Sequence, residues 1–384
     1  MTERQQLLGI LALVYLSECV RWVRRGGVLF NTAPGLRMWR KSPLLHNQRG
    51  DAYIAWPLPP FGEFHVARGF PFSIGEEGIL TFTAGALHSD GRPLQPAQWI
   101  PWASLSQTSV ENENLMAHGR AFWLADTPAE AGRLALQLRS AAALSPDERA
   151  LWIERTCKAG FDEAEIRARL EANRTRLKPL RQVGSLLWWM LFGILPAAVW
   201  KWGWSPTLWW GLPMVFAASA WTGWQTARIH RDWFPHAAHD RFRLMLLTGL
   251  SPVTAIRAAD LLGRSRFEEF HPAAFALASL PREAARSLCA ALWRDLVHPR
   301  QPLPDLSDVA AATEQSWRMR LLSAFRDCAR RNGINPDEWE AAPPASEATH
   351  ARYCPRCHSQ STAQATTCTE CGGLPLLDLV PKQP

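Results

Sequence analysis

Cysteine is scarce, with eight residues in a chain of 384. That is too few for a disulfide scaffold at this length. Signatures of catalysis are missing too: there is no Walker loop, G-x-S-x-G elbow, dinucleotide fingerprint or H-E-x-x-H pair. No basic stretch precedes the first apolar run, and Glu18, Cys19 and Arg21 stand where a small-x-small cleavage site would fall. That run therefore reads as a retained anchor and not as a cleaved signal.

What is present in quantity is arginine and tryptophan. The formal net charge is +7, and there are 20 tryptophans. Arginines crowd the ends of the apolar segments, where membrane proteins carry their topology signals. Tryptophan, an apolar body with one N–H, suits the headgroup layer. Three segments are read as transmembrane helices: residues 7–23, 184–202 and 207–225. Each is close to the ~20 residues needed to cross the hydrocarbon. The first is short and carries Glu18, so it either spans the membrane or lies on it. The other two, joined by W-G-W-S-P, form a helical hairpin. Arg174, Arg176, Lys178 and Arg181 precede this hairpin, and Arg228, Arg231, Arg241 and Arg243 follow it. The positive-inside rule puts both flanks, most of the chain and its C-terminal end in the cytoplasm.

Residues 45–142 read as a β-rich domain. Short aromatic and β-branched runs are punctuated by Gly, Pro, Asn and Asp, and H-S-D-G-R-P at 88–93 signals a turn. From Thr127 the period becomes helical, with Thr127 as cap, Pro128 first inside and Glu130 at the third position. The run Gly78 to Thr83, the step Ile100-Pro101-Trp102, then Leu105, Leu115, Phe122 and Leu124 and a helix over 128–139 resemble a bacterial pleckstrin-homology-like domain. Residues 145–182 read as cytoplasmic helices opened by Ser145-Pro146-Asp147-Glu148 and by Asp162. Residues 240–333 form a helical region. Within it, the apolar run before Ser251-Pro252 is too short to span, so it reads as a membrane-surface or buried cytoplasmic helix. A helix over 308–331 is stopped by Asn332-Gly333. Residues 341–350, A-A-P-P-A-S-E-A-T-H, read as a flexible linker.

The strongest chemical signal is Cys354-x2-Cys357 with Cys368-x2-Cys371. Each pair turns two sulfurs toward one ion. Ten residues between the pairs allow a short hairpin that brings them together. Four thiolates close a tetrahedral zinc shell and leave no substrate position, so Zn2+ here is structural. Residues 353–376 resemble a four-cysteine zinc ribbon. His358, beside Cys357, competes as a ligand only if the cysteine shell is incomplete. A second cluster, His230, His236, His239 and Asp240, follows the hairpin.

The fold class is thus a multi-domain membrane protein: a small β-rich domain with a closing helix, a mostly α-helical remainder with about three transmembrane helices, and a C-terminal zinc ribbon. The function read from this is a membrane-anchored interaction or scaffold protein of a bacterial inner (plasma) membrane, with the bilayer and a protein as partners. Two alternatives stay open. One is a membrane-associated hydrolase using His236, His239 and Asp240. The other is nucleic-acid binding through the ribbon, which has little to support it: Arg352 and Arg356 are the ribbon's arginines and Glu370 opposes them.

Overall fold

The computed structural model describes residues 20–23, 27–32, 51–54, 63–81, 98–125, 127–235, 237–264, 266–299 and 306–379, with single positions between 6 and 14. Strands come first: β1 (Val20–Val23), β2 (Val28–Asn31), β3 (Asp51–Ile54), β4 (Phe64–Ala67), β5 (Phe72–Ile74), β6 (Gly78–Thr81) and β7 (Gln98–Pro101). A helical turn α1 (Trp102–Leu105) leads to β8 (Ser109–Glu111), β9 (Asn114–Ala117) and β10 (Arg120–Leu124). All pairings are antiparallel: β1 with β3, β2 with β4, the meander β5-β6-β7 and the meander β8-β9-β10. The turn at 88–93 lies outside the described residues. Asn112 and His118, in the tight turns on either side of β9, take left-handed backbone at φ 57° and 49°.

Helices follow, and local chemistry sets their starts. In α2 (Pro128–Ala142) the Thr127 side chain accepts from the Glu130 amide at 3.1 Å. In α3 (Pro146–Ala159) Ser145 and Glu148 cap each other, with the Ser145 amide 3.0 Å from Glu148 Oε2. Asp162 accepts from the Glu165 amide at 3.0 Å and opens a helix, α4, that runs from Glu163 to Trp202. A π turn at Met190–Ile194 interrupts it just before Pro196. Proline has no N–H to give and its ring crowds the preceding turn, and widening the helix there relieves both. Then come α5 (Trp204–Trp233), α6 (Ala238–Leu250), α7 (Pro252–Ile256), α8 (Ala258–Arg264), α9 (Pro272–Ser279), α10 (Arg282–Val297) and α11 (Asp308–Arg331). Gly333 at φ 67° ends the last of these. A 3-10 turn at Pro336–Trp339 and five two-residue strands, β11 (Arg352–Tyr353), β12 (Gln360–Ser361), β13 (Thr367–Cys368), β14 (Leu374–Pro375) and β15 (Leu377–Asp378), complete the described chain.

One core joins the strands to helices on either side of the α4–α5 hairpin in the sequence. Phe30, Phe72, Leu134, Phe161, Phe275, Trp293 and Phe325 belong to the same buried cluster. At Gly75 a Cβ would sit 2.9 Å from Thr313 Oγ1, so β5 and α11 touch closely there. Trp102 Nε1 donates to the Gly75 carbonyl at 3.0 Å and Arg149 Nη1 to the Glu76 carbonyl at 3.2 Å. The β region therefore shares its interior with α11, which begins more than 180 residues further along.

The expectation of three spanning helices is corrected. Among the described residues one helix, Glu163–Trp202, is long and apolar enough to cross a membrane, and 22% of its most apolar window is buried. The expected first span, residues 7–23, lies mostly outside the described residues, and its last four residues are strand β1. Residues 207–225 do lie within one long helix, α5. That helix packs antiparallel on α4: Val215 clusters with Leu187 and Met190, and Ile229 with Leu177 and Leu180.

Candidate metal centre

The four cysteines are brought together as their spacing predicts. All four Sγ atoms lie within 4.8 Å of one another. Cys357 Sγ and Cys368 Sγ are 3.7 Å apart. Cys354, Cys368 and Cys371 are buried and Cys357 is exposed. Two similar turns make the cradle. In the first, the His358 amide donates to the Cys354 carbonyl at 2.9 Å; in the second, the Gly373 amide donates to the Cys368 carbonyl at 2.9 Å. The residue after each pair has positive φ, 61° at His358 and 73° at Gly372. Glycine takes this conformation freely and histidine under strain. His358 in that position packs edge-on against Tyr353, ring centroids 5.8 Å apart. It lies outside the sulfur cluster.

The thiols are not electrostatically alike. Burial, helped by neighbouring thiols, pushes Cys371 up, and burial pushes Cys354 up. At Cys357 burial works in the same direction, but hydrogen bonding with Ser359, whose hydroxyl lies 3.2 Å away, outweighs it and holds this thiol below its usual range. Among Cys354, Cys357 and Cys371, the thiolate is therefore most favoured at Cys357. A divalent cation among four sulfurs favours the thiolate form of its ligands. The set of four sulfurs, with no fifth donor among them, suits a soft or borderline cation held in a closed shell.

The module is pinned to the body. Arg356 Nε meets Asp295 Oδ1 of α10 at 2.7 Å, and Arg294 Nε donates to the Arg356 carbonyl at 3.1 Å. The expected flexible linker is also engaged. The Ser346 amide donates to Gln360 Oε1 at 2.8 Å, and Gln360 Nε2 returns a bond to the Pro344 carbonyl at 2.8 Å. Composition alone reads this stretch as loose, and the side chain of a residue 14 to 16 positions away holds it.

The second predicted cluster is only partly assembled. His230 Nε2 lies 3.2 Å from Asp240 Oδ2, both buried between α5 and α6. His236 and the side chain of His239 lie outside the described residues. Among the described residues no nucleophile, base and orienting group converge. The remaining described cysteines are buried thiols: burial pushes Cys157 and Cys289 up to about 12, and Cys328 is raised by burial and by Glu163, 3.0 Å away.

Sequence reasoning missed a buried ionic cluster on the body side of α4. Glu63 accepts Arg181 at 2.8 Å, with Arg174 and His65 each 3.6 Å away. Burial alone would raise the Glu63 carboxyl, but His65, Arg181 and Arg174 hold it below its usual range. The two arginines look like topology signals in the sequence. Nothing local shows that they neutralise a glutamate more than 110 residues earlier.

No family model, no curated protein and no solved structure matches the chain.

Proposed function

We propose that this chain is a membrane-anchored interaction or scaffold protein, held in the bilayer by the α4–α5 hairpin and stiffened at its C-terminal end by a structural zinc ion. One observation carries the membrane reading: the hairpin leaves its large apolar side chains uncovered. Trp189, Ile194, Trp200, Trp209, Met214 and Phe216 are all exposed, Trp209 at 83%. A soluble protein seldom leaves so much apolar surface bare around one helix pair. In a bilayer the same surface faces acyl chains, with tryptophans at the headgroups. Tryptophan, glycine and proline lower the mean hydropathy of α5, but they do not prevent it from being the second arm of a spanning hairpin.

Four facing sulfurs in a closed arrangement support zinc as the ion, with a structural and not a catalytic role. The two strand meanders closed by α2 support the pleckstrin-homology-like reading of the body, a platform for a protein or headgroup. The basic flanks of the hairpin support a cytoplasmic body.

Reporter fusions test the topology. A fusion at Gly203, between α4 and α5, reads external, and one at Ser140 reads cytoplasmic; the opposite pattern refutes the reading. Elemental analysis of the purified full chain tests the metal, with one zinc per chain expected. The Cys368→Ala chain should lose that zinc and become protease-sensitive over 341–379, because metal binding supplies ~10 kcal/mol or more of the folding energy of such modules. Zinc retained at full stoichiometry would count against the four-cysteine assignment.

A further inference from the structure

The segment after the hairpin takes a path that its length alone does not suggest. Helix α6 returns along α5: His230 meets Asp240, and a Cβ at Gly223 would lie 2.7 Å from the Met245 carbonyl and 2.8 Å from Gly249 Cα. After Ser251-Pro252 the chain lies against the apolar parts of both hairpin helices, where Ala255 and Ile256 are buried with Leu187, Met190 and Val215. It then descends. Ala258 and Leu262 pack with Leu177, Leu180 and Ile229, and Arg169 reaches the Arg266 carbonyl at 3.4 Å. The packing partners on α4 thus run from Met190 down to Arg169 as the chain runs from residue 255 to 266. Met190 is nine residues beyond Arg181, roughly 13 Å along a helix. That approaches the ~15 Å half-thickness of the hydrocarbon.

We infer that α6, α7 and α8 form a re-entrant hairpin that enters and leaves the bilayer on the side of the protein body, its outer face covered by phospholipid acyl chains. The inference rests on the α4–α5 pair being inserted. Three further features fit it. The outer face of α6 is apolar toward its tip, with Leu246, Leu247 and Leu250 exposed, Leu250 at 70%. Beyond the arginines at its foot, Thr248 and Asp240 turn inward, and on α5 Ser219, Thr222 and Thr226 are buried. This is the reverse of a helix bathed in water, and small and polar residues at a helix contact are the membrane pattern. The apex closes its own backbone bonds, which lipid demands. The Ser251 amide donates to the Leu247 carbonyl at 3.1 Å, the Ala255 amide to the Ser251 carbonyl at 2.9 Å, and the Thr254 amide to Ser251 Oγ at 3.3 Å, while Pro252 has no N–H to satisfy. At the entry foot α6 carries Arg241 and Arg243, with Arg243 Nη1 3.9 Å from Glu113 Oε1 of the body, and on α5 Arg228 lies 6.0 Å from the Trp224 ring.

Photo-crosslinking to lipid tests the inference on the full chain in nanodiscs of phosphatidylethanolamine and phosphatidylglycerol. The photoreactive residue p-benzoylphenylalanine is placed singly at Leu247, Leu250, Trp209 or Leu151, and lipid adducts are read by mass spectrometry. Trp209 reports the inserted hairpin. Leu151, on α3 and 59% exposed, reports surface contact. The expected result is adducts at Leu247 and Leu250 comparable in yield to Trp209, with none at Leu151. Adducts at Trp209 without any at Leu247 and Leu250 overturn the re-entrant path and leave the spanning hairpin standing. Equal adducts at Leu151 also overturn it, because insertion is then not what gives lipid access. Failure at Trp209 itself overturns the spanning reading and this one with it.

Discussion

At Gly223 two helices meet with no room to spare, and Gly223→Ala tests that contact directly. The added Cβ would lie 2.7 Å from the Met245 carbonyl oxygen, 2.8 Å from Gly249 Cα and 2.9 Å from the Gly249 nitrogen. All three atoms are backbone, so no side-chain rotation relieves the clash. The helices must part by roughly 0.8 Å before contacts of this kind reach the ~3.5 Å at which they become attractive. That loosens the whole α5–α6 contact, including the buried Thr222, Thr226 and Thr248. Overpacking of this kind costs about 1–3 kcal/mol. Gly132 in α2 is the control, because a Cβ there meets nothing within 4 Å. Gly132→Ala should gain about 0.5–1 kcal/mol from helix propensity alone. The assay is thermal unfolding of the full chain in detergent, with amide hydrogen exchange to locate the effect. Gly223→Ala should lower the midpoint and speed exchange across residues 238–250; Gly132→Ala should raise the midpoint and leave that segment unchanged. A Gly223→Ala protein as stable as the parent, with unchanged exchange in α6, would refute the close crossing.

Three further outcomes follow from the packing. Arg356→Ala and Asp295→Ala, combined in a double-mutant cycle, should show a coupling of about 1 kcal/mol for a partly buried ion pair, read as the proteolytic opening of residues 341–379; zero coupling would show that the metal module is not held through this pair. A fragment of residues 45–142 alone should fail to give a cooperative thermal transition, because it lacks β2 and α11; a sharp transition would show that the strands need neither. Acid should destabilise the body once the pH falls below about 4.5. Glu63 and Glu163 are buried and Glu269 is half-buried, which raises a carboxyl, yet each is held below the usual value of 4.5: Glu63 by His65, Arg181 and Arg174, Glu163 by Cys328 and Arg331, and Glu269 by Arg133 and Arg169. Their contribution is complete above that value and is lost as pH falls through the lower folded values. Glu163→Gln should be less stable at neutral pH and lose less below about pH 4.5; a parallel acid limb would show that Glu163 plays no part.

What was legible in the sequence was what neighbouring residues decide. Thr127, Ser145 and Asp162 open the helices their spacing predicts, and Asn332-Gly333 closes α11. The four cysteines converge because two short turns and one hairpin are enough to bring them together. What escaped was set by partners far along the chain. Glu63 with Arg174 and Arg181, Gly75 against Thr313, and Gln360 holding residues 344–346 leave no trace in local pattern. The path of the segment around Ser251-Pro252 is another case, because it is set by Leu187, Met190 and Val215, far along the chain. Length decides whether a helix can cross a bilayer, but a hairpin that goes in and returns is recognised only by what it packs on.

The shared core also sets an order of events during synthesis. Phe72 leaves the ribosome about 250 residues before Phe325, which lies in the same cluster, and the α4–α5 hairpin is made in between. At ~5–20 residues per second the early strands wait on the order of ten to fifty seconds for the helices that complete them. During that interval the faces of β5 and β6 that α11 will cover stay open. The body therefore cannot finish folding before the α4–α5 hairpin has been made, and on the proposed reading before it meets the membrane. A chain stalled at insertion exposes an apolar sheet to chaperones and proteases, so failed anchoring and failed folding should be detected by the cell as one fault.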